Sequence, residues 1–322
     1  MTPSGAASRP REDGGRTAPA AAFAGVYPIV PTIFDGDGGF DEAGQRATVD
    51  ALVQAGVHGL VVLANASEGY AVLDAERGAV IASVIAQAAG RVPVVATCNH
   101  ASTVGAVRFA REAEDLGADA VMFLPPFFGQ WLSDLDGIRR HCEALSRATR
   151  VPLMLQDHPL SGIAMPAGFL VDLARTVERL GYFKVEANRA PAKIGQMRRL
   201  GGSAVRGLFG GTAGLLFLEE LDEGAAGTMP SSLLPDVFVR VLAAYRAGDR
   251  PSAAALMARY LRLVAFEIHL GGQHAVKEIL ARRGVIRSPF VRGPVRAGWD
   301  DGTRHAFLRL LDELGLLGST RP

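Results

Sequence analysis

Lys184 and Glu186, in the segment Gly181-Tyr-Phe-Lys-Val-Glu-Ala-Asn188, are the residues of this chain best placed to do chemistry. The chain has three lysines among its 34 lysine and arginine residues, so arginine supplies nearly all of the positive charge. Lys184 lies in a short apolar run between two helix-like stretches. Burial lowers an ammonium's pKa from about 10.4 and leaves a free amine that can attack a ketone to form a Schiff base. The competing reading is a lysine whose stem packs while its head reaches water. Side chains alternate along a strand, so Lys184 and Glu186 share one face and Val185 takes the other. An amine and a carboxylate at that spacing can exchange a proton, or can form a structural ion pair.

Three further segments bring polar groups to comparable positions. In Pro152-Leu-Met-Leu-Gln-Asp-His-Pro-Leu-Ser-Gly162, Gln156 and His158 share parity and can face the same pocket, while Asp157 faces outward, where it can cap the next turn. A lone histidine serves structure as readily as catalysis. The turn Asn65-Ala-Ser-Glu-Gly69 can offer backbone N–H groups and the Ser67 hydroxyl to a carboxylate, or be an ordinary turn in which Ser67 caps a helix. Pro125-Pro-Phe-Phe128-Gly-Gln-Trp131 reads as a rigid apolar wall or as plain packing. There is no H-E-x-x-H pattern, no close pair of cysteines and no G-x-S-x-G turn, so no metal, no cofactor and no serine nucleophile are expected.

These residues need elements to position them. From Gly25 onward, β-rich runs at 26–34, 59–64, 92–98, 120–124, 152–156, 182–186, 205–209 and 225–229 alternate with helical patterns such as 41–55, 75–89, 102–116, 134–149, 166–179 and 190–200. Gly56, Gly117 and Gly224 stand where helices end, as a position needing φ > 0 requires. Strands alternating with helices imply a covered parallel sheet, and eight such units fit an α/β fold of the (β/α)8 TIM-barrel type. An open doubly wound sheet competes, but Thr32-Ile-Phe-Asp-Gly-Asp-Gly-Gly-Phe40 matches G-x-G-x-x-G poorly. In a barrel the reactive groups sit at the C-terminal ends of strands, where Lys184, Glu186, Gln156 and Ser67 all fall. The expected organisation is a disordered tail over 1–22, the barrel over 23–234 and a C-terminal helical extension over 235–322.

Composition narrows the class. The 322 residues are 48% hydrophobic with a net charge of +1, which gives a large core and argues against nucleic acid and anionic membranes as partners. No apolar run reaches the roughly 18 residues of a membrane span. Cys98 and Cys142 make no disulfide framework, and the first 22 residues lack the apolar stretch of a signal peptide, so a cytoplasmic location is expected.

The opening Gly25-Val-Tyr-Pro-Ile-Val-Pro-Thr-Ile-Phe34, the Asn65–Gly69 turn, Pro125-Pro126 and Lys184 in its strand resemble the dihydrodipicolinate synthase/N-acetylneuraminate lyase superfamily, from about Gly25 to Val285. That resemblance implies Schiff-base-forming barrels acting on 2-keto acids, usually as homotetramers, with Lys184 as the imine-forming lysine. The departures are informative. The usual Gly-Thr-Thr-Gly-Glu turn is Asn65-Ala-Ser-Glu-Gly69 here; Ser67 keeps a hydroxyl and Ala66 does not. The relay tyrosine of Tyr-Asn-x-Pro is replaced by Gln156, whose amide cannot take up and release protons. The arginine that commonly follows is absent, and Phe128 lacks a hydroxyl. A narrower branch, exemplified by L-2-keto-3-deoxyarabonate dehydratase, resembles Leu63-Ala-Asn-x-Ser-Glu68, Met154-x-Gln-Asp-x-Pro159, Ser161-Gly162 and Tyr182-Phe-Lys-x-Glu186 more fully. The seventh-strand loop, Phe209-Gly-Gly-Thr-Ala213, lacks the acidic residues expected of that branch. The resemblance implies Lys184, Glu186 and Gln156 as catalytic residues. It implies Ser67, Ala66, Phe128, His158, Ser161, Gly210 and Met229 as substrate-binding residues. The expected reaction is dehydration of a small 2-keto-3-deoxy sugar acid. The alternatives are retro-aldol cleavage, condensation on pyruvate, and a catalytically silent barrel that only binds a keto acid.

Overall fold

The β-rich runs become strands shorter than the runs themselves in the structure, a computed structural model that describes residues 23–126, 131, 133–294 and 298–317. The predicted tail over 1–22 and the candidate Phe128 lie outside the described residues. The strands are β1 (Gly25–Val26), β2 (Leu60–Val62), β3 (Val94–Thr97), β4 (Ala120–Phe123), β5 (Leu153–Asp157), β6 (Leu180–Val185), β7 (Gly207–Gly210) and β8 (Gly227–Thr228). They pair in parallel in the order β1-β8-β7-β6-β5-β4-β3-β2. Val30 N–H donates to Val61 O (2.8 Å) and Val61 N–H to Pro28 O (3.1 Å), which joins the two ends of the sheet into a closed ring. The architecture is the expected (β/α)8 barrel, and closure leaves no sheet edge exposed.

Helices α1 (Glu42–Gln54), α2 (Asp74–Ala88), α3 (Thr103–Asp115), α4 (Leu135–Ala148), α5 (Ala167–Thr176), α6 (Ala190–Gly201), α7 (Phe217–Asp222) and α8 (Pro235–Arg246) follow the successive strands. Asp41, Ser102 and Asp134 cap α1, α3 and α4 by accepting from the N–H groups of Gly44 (2.9 Å), Gly105 (3.2 Å) and Gly137 (2.7 Å). Gly56, Gly117 and Gly224 have φ of +80°, +99° and +88°, the left-handed conformation expected of them. The sequence marks the end of α7 at Gly224 but not its start or its buried face, because the run Leu215-Leu-Phe-Leu218 is too uniformly apolar to show a helical period.

Two apolar layers fix the direction of every strand side chain. Tyr27, Ile29, Val61, Val95, Met122, Met154, Tyr182, Phe209 and Met229 fill the barrel interior. Val62, Ala96, Val121, Phe123, Leu155, Phe183 and Val185 pack between strands and helices. Along β6 the order is therefore Tyr182 in, Phe183 out, Lys184 in, Val185 out. Slipping β6 by one residue would pull Phe183 and Val185 out of the outer layer, at about 1.5–3 kcal/mol each. The inward aim of Lys184 is thus set by its neighbours. A third apolar cluster joins Val26, Ile33 and Phe217 of the barrel to α8, α9 (Arg250–Phe266), α10 (Gly272–Arg282) and α11 (Asp301–Glu313). A π-helical turn, Glu267–Gly271, links α9 to α10.

Candidate active site

Lys184 is 4% exposed, and its Nζ lies 3.1 Å from Glu186 Oε2. Glu186 sits one residue beyond the end of β6, held there by its N–H donating to Asp157 O (2.8 Å). In the β5–β6 register Gln156 stands directly beside Lys184. Its Nε2 donates to Glu186 Oε2 (2.6 Å), and Thr212 N–H donates to Glu186 Oε1 (2.7 Å). Burial pushes the Glu186 carboxyl up, but Lys184, His158, the Thr212 N–H and the Gln156 amide outweigh it and hold the group below the ordinary carboxylate value. Glu186 is therefore ionised at neutral pH. Gln156 Oε1 is buried and has no hydrogen-bond partner among the described residues, an acceptor left open on the inward side of β5.

His158 is half-buried just past β5. Its Nδ1 accepts the Leu160 N–H (3.0 Å), which leaves the proton on Nε2 in the neutral ring. Burial lowers its pKa; Glu186 raises it and Lys184 lowers it, so the ring stands within the field of both. Ser67 is fully buried in a short 3-10 turn, its Oγ accepting the Ala64 N–H (3.1 Å) while its carbonyl accepts from Thr32 Oγ1 (2.7 Å). Ala66 packs against the interior cluster that contains Met229. Ser161 is buried, with Oγ donating to Ile163 O (3.1 Å). A Cβ on Gly210 would lie 1.5 Å from Glu220 Oε2, and one on Gly211 would lie 2.2 Å from Glu186 Oε1. Asp157 does not cap a turn: it is buried on the outer side of β5 and ion-paired with Lys193 of α6 (2.5 Å). That pair lines a cavity of about 670 Å³ bounded also by His158, Met165 and Arg189.

Two groups escape a reading of the sequence. Glu68, in the β2 turn, is fully buried against Lys277 of α10, which is equally buried. Arg292 N–H donates to Glu68 Oε2 (2.8 Å), and the Arg292 guanidinium bridges Glu76 (2.6 Å) and Ala71 O (3.0 Å). Lys277 Nζ and the Arg292 guanidinium lie 4.6 Å and 4.1 Å from the Phe34 ring centroid. This network anchors the turn that carries Ala66 and Ser67. The second group is Glu220 on α7, which is 2% exposed. Phe217, Glu220 and Leu221 lie at helical spacing on one buried face, a signal visible once α7 is recognised. All three lysines of the chain thus pair with carboxylates: Lys184 with Glu186, Lys193 with Asp157 and Lys277 with Glu68.

The chain is similar to known proteins along most of its length. The chain is 36% identical over 272 residues to an L-2-keto-3-deoxyarabonate dehydratase of Azospirillum brasilense, covering 84% of this chain and 88% of the relative. It is 29% identical over 284 residues to a 4-hydroxy-tetrahydrodipicolinate synthase of Methylobacterium radiotolerans, covering 84% and 92%. Among solved structures, a dihydrodipicolinate synthase from Rhodopseudomonas palustris superposes with a TM-score of 0.84 at 28% identity over 90% of this chain and 97% of that one. A prophage protein of E. coli K12 from the dihydrodipicolinic acid synthase family, solved in complex with pyruvate, gives 0.83 at 25% identity over 92% and 100%. The profile of the dihydrodipicolinate synthetase family matches residues 22–312, nearly the whole barrel and its following helices, and the chain belongs to that family.

Proposed function

We propose that this protein is a Schiff-base-forming hydro-lyase that dehydrates a 2-keto-3-deoxy sugar acid of the L-2-keto-3-deoxyarabonate type. The observation that carries the reading is the buried Lys184 Nζ at 3.1 Å from an ionised Glu186, which in turn is held by Gln156. The relative of Azospirillum brasilense supports the substrate class.

Lys184 Nζ attacks the C2 ketone, and water leaves to give an iminium. The amine must be unprotonated to attack, and Glu186 Oε2 is the group placed to take its proton and to return it to the C2 hydroxyl as that departs as water, which leaves the carboxylate free again. The iminium draws electrons from C3, and Glu186 removes a C3 proton to give an enamine. The enamine then expels the C4 hydroxyl, which departs as water with the proton Glu186 has taken. Migration of the double bond toward C5 and hydrolysis of the imine release 2-oxoglutarate semialdehyde from a five-carbon substrate, with the net loss of one water. Gln156 Oε1 accepts from a substrate hydroxyl, and His158 Nε2–H donates to the leaving oxygen. The turn holding Ala66 and Ser67 receives the C1 carboxylate through backbone N–H groups and the Ser67 hydroxyl, with Ser161, Gly210 and Met229 as further lining positions. We extend the family resemblance to a cytoplasmic homotetramer acting on a small 2-keto acid without metal or cofactor; among the described residues no helix is long and apolar enough to cross a membrane.

The test is a turnover screen of 2-keto-3-deoxy acids with products identified by mass. Loss of one water supports the reading. Appearance of pyruvate, detected through lactate dehydrogenase, would replace it with retro-aldol cleavage of the C3–C4 bond, the second reading that the pyruvate-bound relative favours.

A further inference from the structure

Two carboxyl groups grip the backbone at the end of β7 from opposite sides. Glu186 Oε1 takes the Thr212 N–H (2.7 Å) and occupies the space where a Gly211 Cβ would stand. Glu220, on α7 behind the strand, occupies the space where a Gly210 Cβ would stand, and its carboxyl is set against the Gly211 N–H. The two glycines let both carboxyl groups approach the same two peptides. Beyond them Thr212, Ala213 and Gly214 all take positive φ, of +50°, +55° and +79°. For Thr212 and Ala213, which carry a Cβ, that conformation is strained, so the loop needs anchors to persist. Glu220 is 98% removed from solvent, and its Oε2 has no hydrogen-bond partner among the described residues, a poor arrangement for a group serving only the core.

We propose that Glu220 is a positioning residue for Glu186, acting across the Gly210–Gly211 backbone to hold the loop whose Thr212 N–H orients the catalytic carboxylate. The inference rests on Glu186 being the base of the reaction above. Burial raises the Glu220 carboxyl to about 8; the charges of Glu186 and Glu219 add to this, while the Gly211 N–H and Lys184 oppose it. The cations on the flanking helices are committed elsewhere, Arg199 of α6 to Glu223 (3.7 Å) and Arg250 of α9 to Asp222 (2.5 Å). At neutral pH Glu220 is therefore an uncharged acid, and Glu186 keeps its single negative charge. Above about pH 8 Glu220 loses its proton to solvent and places a second negative charge beside Glu186. That charge repels the Glu186 carboxylate and draws it out of register with the Thr212 N–H, so turnover falls on the alkaline side.

The experiment is the pH profile of kcat with L-2-keto-3-deoxyarabonate for wild type, Glu220→Gln and Glu220→Ala, alongside borohydride trapping of pyruvate on Lys184. Glu220→Gln, which matches the uncharged acid in shape, should lower kcat only a few-fold and abolish the alkaline fall. Glu220→Ala should lower kcat by about 10- to 100-fold with a smaller change in KM, because the loop and Glu186 drift apart. Should the alanine variant fail to fold, the glutamine profile decides alone. Normal trapping in wild type together with a Glu220→Gln profile superimposable on the wild-type profile overturns the proposal. Absence of trapping in wild type overturns the Schiff-base reading and the proposal with it.

Discussion

At the scale of single residues, the site turns on how Glu186 is held. It is ion-paired with Lys184, stands in the field of His158 and accepts from the Thr212 N–H and the Gln156 amide, and these groups keep it ionised although it is buried. Glu186→Gln should lower kcat by about 10²–10⁴-fold, the usual contribution of a general base, while borohydride trapping of the imine survives. Gln156→Leu should act differently. It removes one donor that lowers the Glu186 pKa, so the acid limb of kcat/KM should move to higher pH, as a pH–rate profile would read. The Lys184–Glu186 pair was legible in the sequence because strand alternation is local: residues two apart on β6 share a face whatever the rest of the chain does. The Gln156–Glu186 bond was legible only in part. Parity placed Gln156 on the inward face, but its neighbour depends on the β5–β6 register, which involves residues 30 positions apart.

At the scale of elements, the β2 turn is tied to α10 and the segment after it by Glu68, Lys277 and Arg292. Removing one partner leaves the other charge buried and unpaired, which costs about 3–5 kcal/mol, whereas replacing both by apolar groups costs far less. Lys277→Met should therefore destabilise the protein by that amount in urea unfolding, and Glu68→Gln combined with Lys277→Met should recover part of it. The single variant should also raise KM for the keto acid, because the turn carrying Ala66 and Ser67 loses its anchor. No pattern in the sequence announces this link: Arg292 and Glu68 are 224 positions apart, and each alone reads as an ordinary surface charge. The strands, the first six helices and their terminal glycines were legible because apolar period, caps and φ > 0 positions are written into short windows. Of the six-residue α7 only the end at Gly224 was legible, and Glu220 on its buried face was hidden.

At the scale of the whole molecule, two buried acids shape stability. Burial raises Glu220 and Glu267 from 4.5 to about 8; Glu186 adds to the shift at Glu220, and the Ser231 hydroxyl opposes the shift at Glu267. Both are protonated in the folded protein and ionised in the unfolded chain at neutral pH. The folded state binds more protons between about 4.5 and 8, so the contribution of these groups to stability is greatest below that window and declines as pH rises through it. Glu267→Gln should flatten the decline: the difference in urea midpoint between the two ends of the window should be smaller than in wild type. A wild-type slope retained in that variant would mean Glu267 titrates normally. Glu267 lies in the π-helical turn and accepts from Ser231 Oγ (2.8 Å), so the same variant probes the junction between barrel and C-terminal helices.

The most direct test of the account is where the imine forms. The chain offers only three ε-amines, at Lys184, Lys193 and Lys277, each paired with a different carboxylate. Borohydride reduction during turnover of L-2-keto-3-deoxyarabonate, followed by peptide mapping, should place the reduced adduct on Lys184, with none in Lys184→Ala. An adduct on Lys193 or Lys277, or steady turnover by Lys184→Ala, would contradict it.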